Sequence, residues 1–198
     1  MRSSSTRSSR CSTGHRGAST SCVTCSRGSP CSLTEFLRPR PLAAGDRVGD
    51  FHCGQEQLDA WLRGRARGNE RSGASRAMVS ITRDGRVAGY YCLSSSSVVR
   101  DEVPTDLSRQ QPDAIPVVLL GRLAIDEAFA GRGLGASLLQ HATVRAIEAA
   151  EAIGIRAILV HAMTEKVVPF YERFGFTRFP GQDPTLYLLL ADARKTIV

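Results

Sequence analysis

Apolar positions in the first half of the chain follow a helical period and then a strand period. In "GQEQLDAWLRGRARGNER", apolar residues stand at i, i+3 and i+4 (Leu58, Trp61 and Leu62), which predicts an amphipathic helix beginning near Gln55. The next segment, "SRAMVSITRDGRVAGYYCLSSSSV", is rich in Val, Ile, Thr and Tyr on both sides of an Asp-Gly pair at 84–85. Because that pair favours a tight turn with positive φ, two hairpin strands are predicted.

The second half opens with a polar stretch that precedes a long apolar one. Residues 101–114 carry prolines at 104 and 112 and are predicted to form a loop. The segment "IPVVLLGRLAID" then predicts a buried strand. Its two expected faces are Leu119, Gly121, Leu123 and Ile125 on one side and Leu120, Arg122 and Ala124 on the other.

Residues 133–153 form the clearest predicted helix, which ends at Gly154. Its apolar stripe consists of Leu134, Leu138, Ala142, Ala146, Ala149 and Ile153. Three elements are predicted after it: a strand in "IRAILVHAM", a helix in "TEKVVPFYERF" with Thr164 as N-cap and Gly175 just past its end, and a last strand in "TLYLLL". The order indicates a mixed α+β domain.

The formal charge of +7 is concentrated at the N terminus. Residues 1–31 hold five of the 26 basic residues and none of the 19 acidic ones, so residues 32–198 carry a net charge of only +2. The N-terminal segment is rich in Ser, Arg and Gly and poor in large apolar residues, so burial cannot offset the entropy of ordering it. We therefore expect a disordered tail over residues 1–32 and one domain over residues 33–198.

Three interpretations of this tail stay open. An Arg- and Ser-rich, acid-poor segment is typical of organellar transit peptides. Cysteines at C-x-x-C spacing with further ligand types nearby suggest a zinc site, made of Cys11, His15, Cys22, Cys25 and Cys31. We favour the third, a start codon assigned too early, with Val23 or Leu33 as the first residue.

Cysteine usage and apolar run lengths bound the compartment. Beyond the tail only Cys53 and Cys92 occur, too few for a disulfide framework, which favours a reducing cytoplasm. The apolar runs are far shorter than the ~20 residues that cross a bilayer, so we expect no membrane association. No metal site is expected in residues 33–198.

The turn "AGRGLGASLL" before the long helix carries glycines at 131, 133 and 135. Alternate glycines let successive N–H groups point into one concavity at a helix N-terminus, which is suited to phosphate. A tight turn that brings helix and strand close together explains the same glycines. The glycines alone leave both interpretations open.

Five segments in order resemble the GNAT acetyltransferases over residues 36–198: "LLGRLAID", "AGRGLG", "ASLLQHA", "ILVHAM" and "VVPFYERFGF". The resemblance implies an α+β GNAT fold, with a mixed, mostly antiparallel central sheet flanked by helices. It also implies that acetyl-CoA, the cosubstrate, binds at a splay between two parallel central strands.

The resemblance assigns cofactor-binding roles by position. The pyrophosphate falls to Gly131, Arg132, Gly133, Leu134, Gly135 and Ala136, and the pantetheine to the backbone of Leu123, Ala124 and Ile125. Ala130 departs from the family, which usually has Gln or Arg at the first position of this motif. We therefore expect Arg132 to carry more of the phosphate charge.

Tyr171 has two interpretations. It lies at the margin of an apolar stripe formed by Val167, Phe170 and Phe174, so it is either a core residue or a functional one. In the resembling family the tyrosine of "FY" approaches the acetyl-CoA sulfur, which implies a catalytic role for Tyr171. Because tyrosine has a reference pKa of ~10 and a thiol ~8.5, complete proton transfer to a leaving thiolate is uphill by about 2 kcal/mol. We expect hydrogen bonding with partial transfer.

The acceptor amine must be neutral to attack a thioester. Deprotonation at pH 7 costs a lysine ε-amine about 4–5 kcal/mol and an α-amine about 1 kcal/mol. No residue is assigned as a base, since His161 is expected to face the core or the cofactor cleft. An α-amine acceptor fits this absence better.

The N-terminal half of the domain narrows the resemblance to the TacT-like toxin branch of the GNAT enzymes, through "DFHCGQEQLDAWLRGRARGNERSGASRAMV" and "GYYCLSSSSV". That branch implies aminoacyl-tRNA as acceptor and a ribbon-helix-helix antitoxin as partner. Three arginines at four-residue spacing predict a phosphate-binding row on one helical face, namely Arg63, Arg67 and Arg71, and an ordinary solvated face is the alternative. Further candidates for substrate binding are Arg65, Arg76 and Arg122.

Two other functions stay open from the sequence. One is an N-acetyltransferase for a small-molecule amine or a protein N-terminus, and the other is a non-enzymatic acetyl-CoA-binding partner protein. The oligomeric state is likewise open, with a homodimer as one arrangement.

Overall fold

A seven-stranded sheet organises residues 36–181 and 183–197, the part of the chain that the computed structural model describes. Its strands are β1 (Arg40–Pro41), β2 (Arg76–Ile81), β3 (Val87–Val99), β4 (Ala114–Ile125), β5 (Ala157–His161), β6 (Thr177–Arg178) and β7 (Thr185–Leu189). The spatial order is β1-β2-β3-β4-β5-β7-β6, and among these strands only β4 and β5 run parallel. The predicted sheet, mixed and mostly antiparallel with two parallel central strands, is confirmed.

The helices are α1 (Glu56–Gly64), α2 (Ala66–Ser72), α3 (Thr105–Ser108), α4 (Leu134–Ala152), α5 (Val168–Glu172) and α6 (Leu190–Ile197). The predicted loop over 101–114 instead contains a 3₁₀ turn and α3. The predicted helix after Thr164 begins as a 3₁₀ turn over Glu165–Val167 before α5, and Thr164 makes no capping hydrogen bond. The predicted end is confirmed, because Gly175 has φ +83°.

α4 packs on one face of the sheet. Its buried residues include Leu134, Leu138, Ala142 and Ala146, which contact sheet residues such as Val118 and Val160. The predicted stripe is too long at its C-terminal end, because α4 stops at Ala152 and Ile153 is 62% exposed.

Two smaller clusters cover the opposite face. Trp61 and Leu62 of α1 pack on Tyr90 of β3, which points away from Tyr91 and the α4 side because strand side chains alternate. Further along the sheet, Leu107 of α3 packs on Leu159 of β5. The face away from α4 is therefore covered by α1 and α2 at one end and by the 100–114 segment at the other.

A β-bulge interrupts β4 near its middle. Cys92 of β3 lies opposite Arg122, but the next residue, Leu93, lies opposite Leu120. Gly121 is therefore the extra residue, with no partner in β3. A bulge of this kind adds one residue to one strand only, bends that strand and reverses the alternation of its side chains.

This bulge corrects the predicted faces of β4. Leu120 packs in the cluster on the α4 side, and so do Leu123 and Ile125, whereas Leu119 packs in the opposite cluster. The prediction that Leu119 shares a face with Leu123 and Ile125 is wrong, because simple alternation does not count the extra residue Gly121.

The predicted tail over residues 1–32, with its alternative start sites and zinc site, lies outside the described residues. Every described residue falls within one compact unit whose bounds are residues 31–198. Within 36–181 and 183–197, no helix has the length and apolar character needed to cross a bilayer. No group of three or more potential metal ligands occurs in that same part of the chain.

Candidate active site

The parallel strands β4 and β5 separate beyond the bulge. They pair from Val117, opposite Ala157, to Leu120, opposite Val160. β5 then ends at His161, whereas β4 continues to Ile125. Residues 121–125 of β4 therefore pair with β3 on one edge and have no strand beside them on the other.

A cleft of about 320 Å³ opens in this gap. Leu123, Ala124 and Ile125, the residues predicted to meet pantetheine, all line it. An unpaired strand edge beside a cleft can hydrogen-bond to an extended amide-containing chain, as a further strand would. The gap thus fits a pantetheine arm.

The glycine turn that follows β4 adopts left-handed backbone geometry. Gly131 has φ +74° and Gly133 has φ +78°, and an added Cβ at either would meet no atom within 4 Å. The two glycines are therefore required by backbone conformation and not by crowding. Gly133 caps α4 without a side-chain hydrogen bond, so N–H groups of the first turn are left for an anion.

Gly135 serves a different part of the cleft than predicted. An added Cβ there would lie 3.7 Å from Cγ1 of Ile125 and 3.8 Å from the ring of Phe170. Gly135 therefore faces the passage between β4 and α5, where a bulky side chain would narrow it. Its backbone N–H still belongs to the first turn of α4, together with those of Leu134 and Ala136.

Arg132 is bound to its own turn. Its Nη2 donates a hydrogen bond of 3.1 Å to the carbonyl of Ala128, and its guanidinium lies 5.6 Å from the ring centre of Phe129. The expectation that Arg132 compensates for Ala130 therefore starts from a guanidinium that is already engaged on the turn.

Tyr171 is buried at the edge of the same cleft. It is 7% exposed, and its ring meets Phe170 and Phe176 edge-on at centroid distances of 5.1 and 5.6 Å. The predicted apolar stripe is wrong in detail, because Val167 and Phe174 are 39% and 38% exposed while Tyr171 faces inward. Burial raises the pKa of Tyr171 to about 12. The phenol is therefore a protonated hydrogen-bond donor at neutral pH.

The cleft also reaches the face of the sheet away from α4. Arg122 lines it there, with its guanidinium stacked 4.6 Å above the ring centre of Trp61. His161 lines it from the end of β5, and its Nδ1 lies 2.9 Å from Oγ1 of Thr185. The sequence did not show the His161–Thr185 pair, because the two residues are 24 positions apart and meet only through strand pairing.

Cys53, Gln55 and Leu58 also line the cleft and were not predicted to do so. Asp59, fully buried, holds this segment by accepting hydrogen bonds from the Cys53 backbone N–H, at 3.0 Å, and from Nδ1 of His52, at 2.9 Å. Burial and the neighbouring Asp59 raise the pKa of the Cys53 thiol to about 12, so it stays protonated and is a poor nucleophile. Their position just before and within α1 gave no sequence signal for a cleft.

The predicted arginine row is not one helical face. The helix breaks at Arg65 between α1 and α2, so Arg63 lies on a different segment from Arg67 and Arg71. Arg63 pairs with Glu56 at 3.1 Å, and Arg67 donates to the carbonyl of Asp46 at 2.7 Å.

The remaining arginine candidates differ in their surroundings. Arg65 and Arg71 are exposed, and Arg76 pairs with Glu70 at 3.2 Å. Of the six arginines predicted to bind substrate, only Arg122 lines the cleft.

Comparison with known proteins finds related sequences and structures. Residues 75–178 match the acetyltransferase (GNAT) domain family. A protein of Mycobacterium tuberculosis (strain ATCC 25618 / H37Rv) named tRNA-acetylating toxin is 44% identical over 165 residues, which cover 83% of this chain and 99% of the relative.

Two solved structures show the same fold. The toxin AtaT complexed with acetyl-methionyl-tRNAfMet is 30% identical, with a TM-score of 0.76, over 83% of this chain and 100% of that one. A Tyr-to-Phe mutant of AtaT, bound to the C-terminus of the antitoxin AtaR and acetyl-CoA, is 27% identical, with a TM-score of 0.70, over 83% of this chain and 99% of that one.

Proposed function

The chain belongs to the GNAT acetyltransferases, and from that premise we propose that it is a toxin that acetylates the α-amine of aminoacyl-tRNA and so blocks translation. The relative named tRNA-acetylating toxin spans nearly its whole length against this chain, and the AtaT structure contains an acetylated aminoacyl-tRNA. Both support the choice of acceptor.

The residues around the gap between β4 and β5 fit acetyl-CoA. The unpaired edge of β4 at Leu123, Ala124 and Ile125 takes the pantetheine arm, and the turn at 131–136 takes the pyrophosphate at the N-terminus of α4. Acetyl-CoA, when bound, supplies an acetyl thioester. Tyr171 donates a hydrogen bond to the leaving sulfur, and Gly135 keeps the passage open.

The charge of the cleft carries the choice of acceptor. None of the described residues that line it is an aspartate or a glutamate, and Arg122 is its fixed cation. A cationic acceptor such as a lysine side chain or a polyamine gains no electrostatic attraction there. An α-amine on a ribose ester next to RNA phosphates brings negative charge toward Arg122 and costs only about 1 kcal/mol to deprotonate at pH 7.

The wider assignments rest on the same relatives. We place the protein in the cytoplasm, where charged tRNA is found, and expect a ribbon-helix-helix antitoxin to neutralise it, as AtaR binds AtaT. The predicted homodimer stays a prediction. Residues 33–198 are proposed as the catalytic domain.

Acetylation of total charged tRNA tests the proposal. Radiolabelled acetyl-CoA and the protein should transfer label to aminoacylated tRNA and not to the same tRNA after mild deacylation. Hydrolysis of the ester followed by mass spectrometry then identifies the N-acetylated amino acid. Label on deacylated tRNA, or transfer to free small amines at a higher kcat/KM than to charged tRNA, would overturn the proposed acceptor.

A further inference from the structure

The end of β5 places a histidine directly opposite a threonine. His161 and Thr185 are paired residues of the antiparallel β5–β7 ladder, and such pairs project their side chains from the same face of a sheet. Their side chains meet, with Nδ1 of His161 2.9 Å from Oγ1 of Thr185. With Nδ1 engaged in this way, Nε2 is the ring nitrogen left for other partners.

His161 and Tyr171 border the same cleft from opposite faces of the sheet. Leu159 lies in the cluster on the face away from α4, and His161, two residues later in the strand, projects from that same face. Tyr171 belongs to the cluster on the α4 side, and both residues line the cleft. The gap between β4 and β5 therefore has an imidazole at one mouth and a phenol at the other.

We propose that His161 is the proton acceptor for the attacking α-amine and that Thr185 is the positioning residue that holds its ring. The inference rests on the proposed function for the identity of the acceptor. Thr185 selects the tautomer in which Nδ1 carries the proton and donates it to Oγ1, which leaves Nε2 unprotonated toward the cleft. Histidine is the side chain best suited to exchange a proton near neutral pH.

The step balances without any further reactant. The amine nitrogen forms a bond to the acetyl carbonyl carbon, and the carbon–sulfur bond breaks with its electron pair leaving on sulfur. Nε2 of His161 takes the proton that the nitrogen loses. The thiolate accepts a hydrogen bond from Tyr171 and regains a proton from solvent, to which His161 returns its own.

Several ionisable groups face His161 and shape its pH dependence. Within the cleft these are Arg122, Tyr171 and Cys53, of which Arg122 opposes a second positive charge. His161 also borders a second groove, of about 430 Å³, where Glu102 and Asp183 lie and favour the imidazolium. Proton acceptance thus occurs between one fixed cation and two carboxylates.

Kinetics of four variants against pH test the role of His161. His161→Gln should lower kcat at pH 7 by about 10²-fold, the low end for a general base, because the α-amine is already partly neutral. The deficit should shrink as pH rises and the amine loses its proton to solvent. Thr185→Val should lower kcat with little change in KM, and Thr185→Ser should restore most of the loss. His52→Gln, at an exposed histidine that does not line the cleft, is the matched control and should leave the rate unchanged.

A readout independent of activity follows the tautomer itself. In protein labelled with ¹⁵N at its four histidines, His161 should show the form protonated at Nδ1, and Thr185→Val should shift it toward a mixture. Calorimetry should show acetyl-CoA affinity unchanged in His161→Gln. Unaltered kinetics of that variant at every pH, or a proton on Nε2 in the wild type, would overturn the proposal.

Failure of the proposed acceptor is a separate outcome. If the wild type transfers no acetyl group to charged tRNA, the aminoacyl-tRNA assignment falls, and glycine methyl ester replaces tRNA as the α-amine acceptor. His161 is then supported if its substitution slows that reaction and imidazole rescues His161→Ala, and it is rejected if neither occurs.

Discussion

Tyr171→Phe separates the chemistry of the phenol from its packing. The substitution removes one oxygen from a ring that is 7% exposed and keeps the edge-on contacts with Phe170 and Phe176. Burial is the sole cause of the raised pKa of Tyr171, with no charge or hydrogen bond from the described residues contributing. Loss of the hydroxyl therefore leaves no partner unsatisfied, and the free energy of unfolding should change by less than about 1 kcal/mol.

The effect on rate follows from the same pKa. With Tyr171 at about 12 and a thiol reference near 8.5, complete proton transfer to the leaving thiolate is uphill by about 5 kcal/mol. This exceeds the about 2 kcal/mol expected from unperturbed values, so the phenol acts as a hydrogen-bond donor. Its removal should slow the chemical step by about 10²- to 10⁴-fold, which is about 3–5 kcal/mol.

Single-turnover acetylation of charged tRNA measures that step, with calorimetry for acetyl-CoA affinity and thermal unfolding for stability. Tyr187→Phe is the matched control. Its hydroxyl donates to both carboxylate oxygens of Asp106, at 2.9 and 2.8 Å, outside the cleft. That variant should lose about 1.5–3 kcal/mol of stability and keep its rate.

The two tyrosines should thus show opposite patterns. A Tyr171→Phe variant with full single-turnover rate would mean that the phenol only packs, and that the thiolate takes its proton from water or the amine. A variant that unfolds at a much lower temperature would mean that the hydroxyl has a structural partner and that the rate cannot be read as chemistry.

Three further outcomes are expected. Gly133→Val should weaken acetyl-CoA binding measured by calorimetry, because φ +78° is strained for a β-branched residue, and unchanged affinity would remove the turn from the binding site. Arg63→Gln with Arg71→Gln should lower the slope of log affinity for tRNA against log salt by about 0.7–0.9 per lost phosphate contact, whereas Arg67→Gln should mainly lower the melting temperature because Arg67 donates to a backbone carbonyl. Deletion of residues 1–31 should leave both melting temperature and rate intact, and a large loss of either would show that this segment belongs to the domain.

The order of the elements was readable from the sequence because the signals are local. The helical spacing of Leu134, Leu138 and Ala142 and the Asp-Gly turn at 84–85 each depend on residues within a few positions of one another. The structure confirms α4 and the β2–β3 hairpin with shifts of one or two residues at their ends. The glycine turn and Tyr171 were also found locally, through a motif that spans one turn or one short helix.

Register and contact between distant segments were decided only by the tertiary structure. The bulge at Gly121 exists in the pairing of β4 with β3, so no pattern within β4 alone predicts that its faces reverse. Likewise, the pairing of His161 with Thr185 depends on how β5 lies against β7, and the break at Arg65 redirects Arg67 onto the backbone of Asp46. A sequence states which side chains a segment carries, but which of them meet depends on strand alignment. That alignment is set by packing of the whole core, so the candidate base at the mouth of the cleft became visible only in the fold.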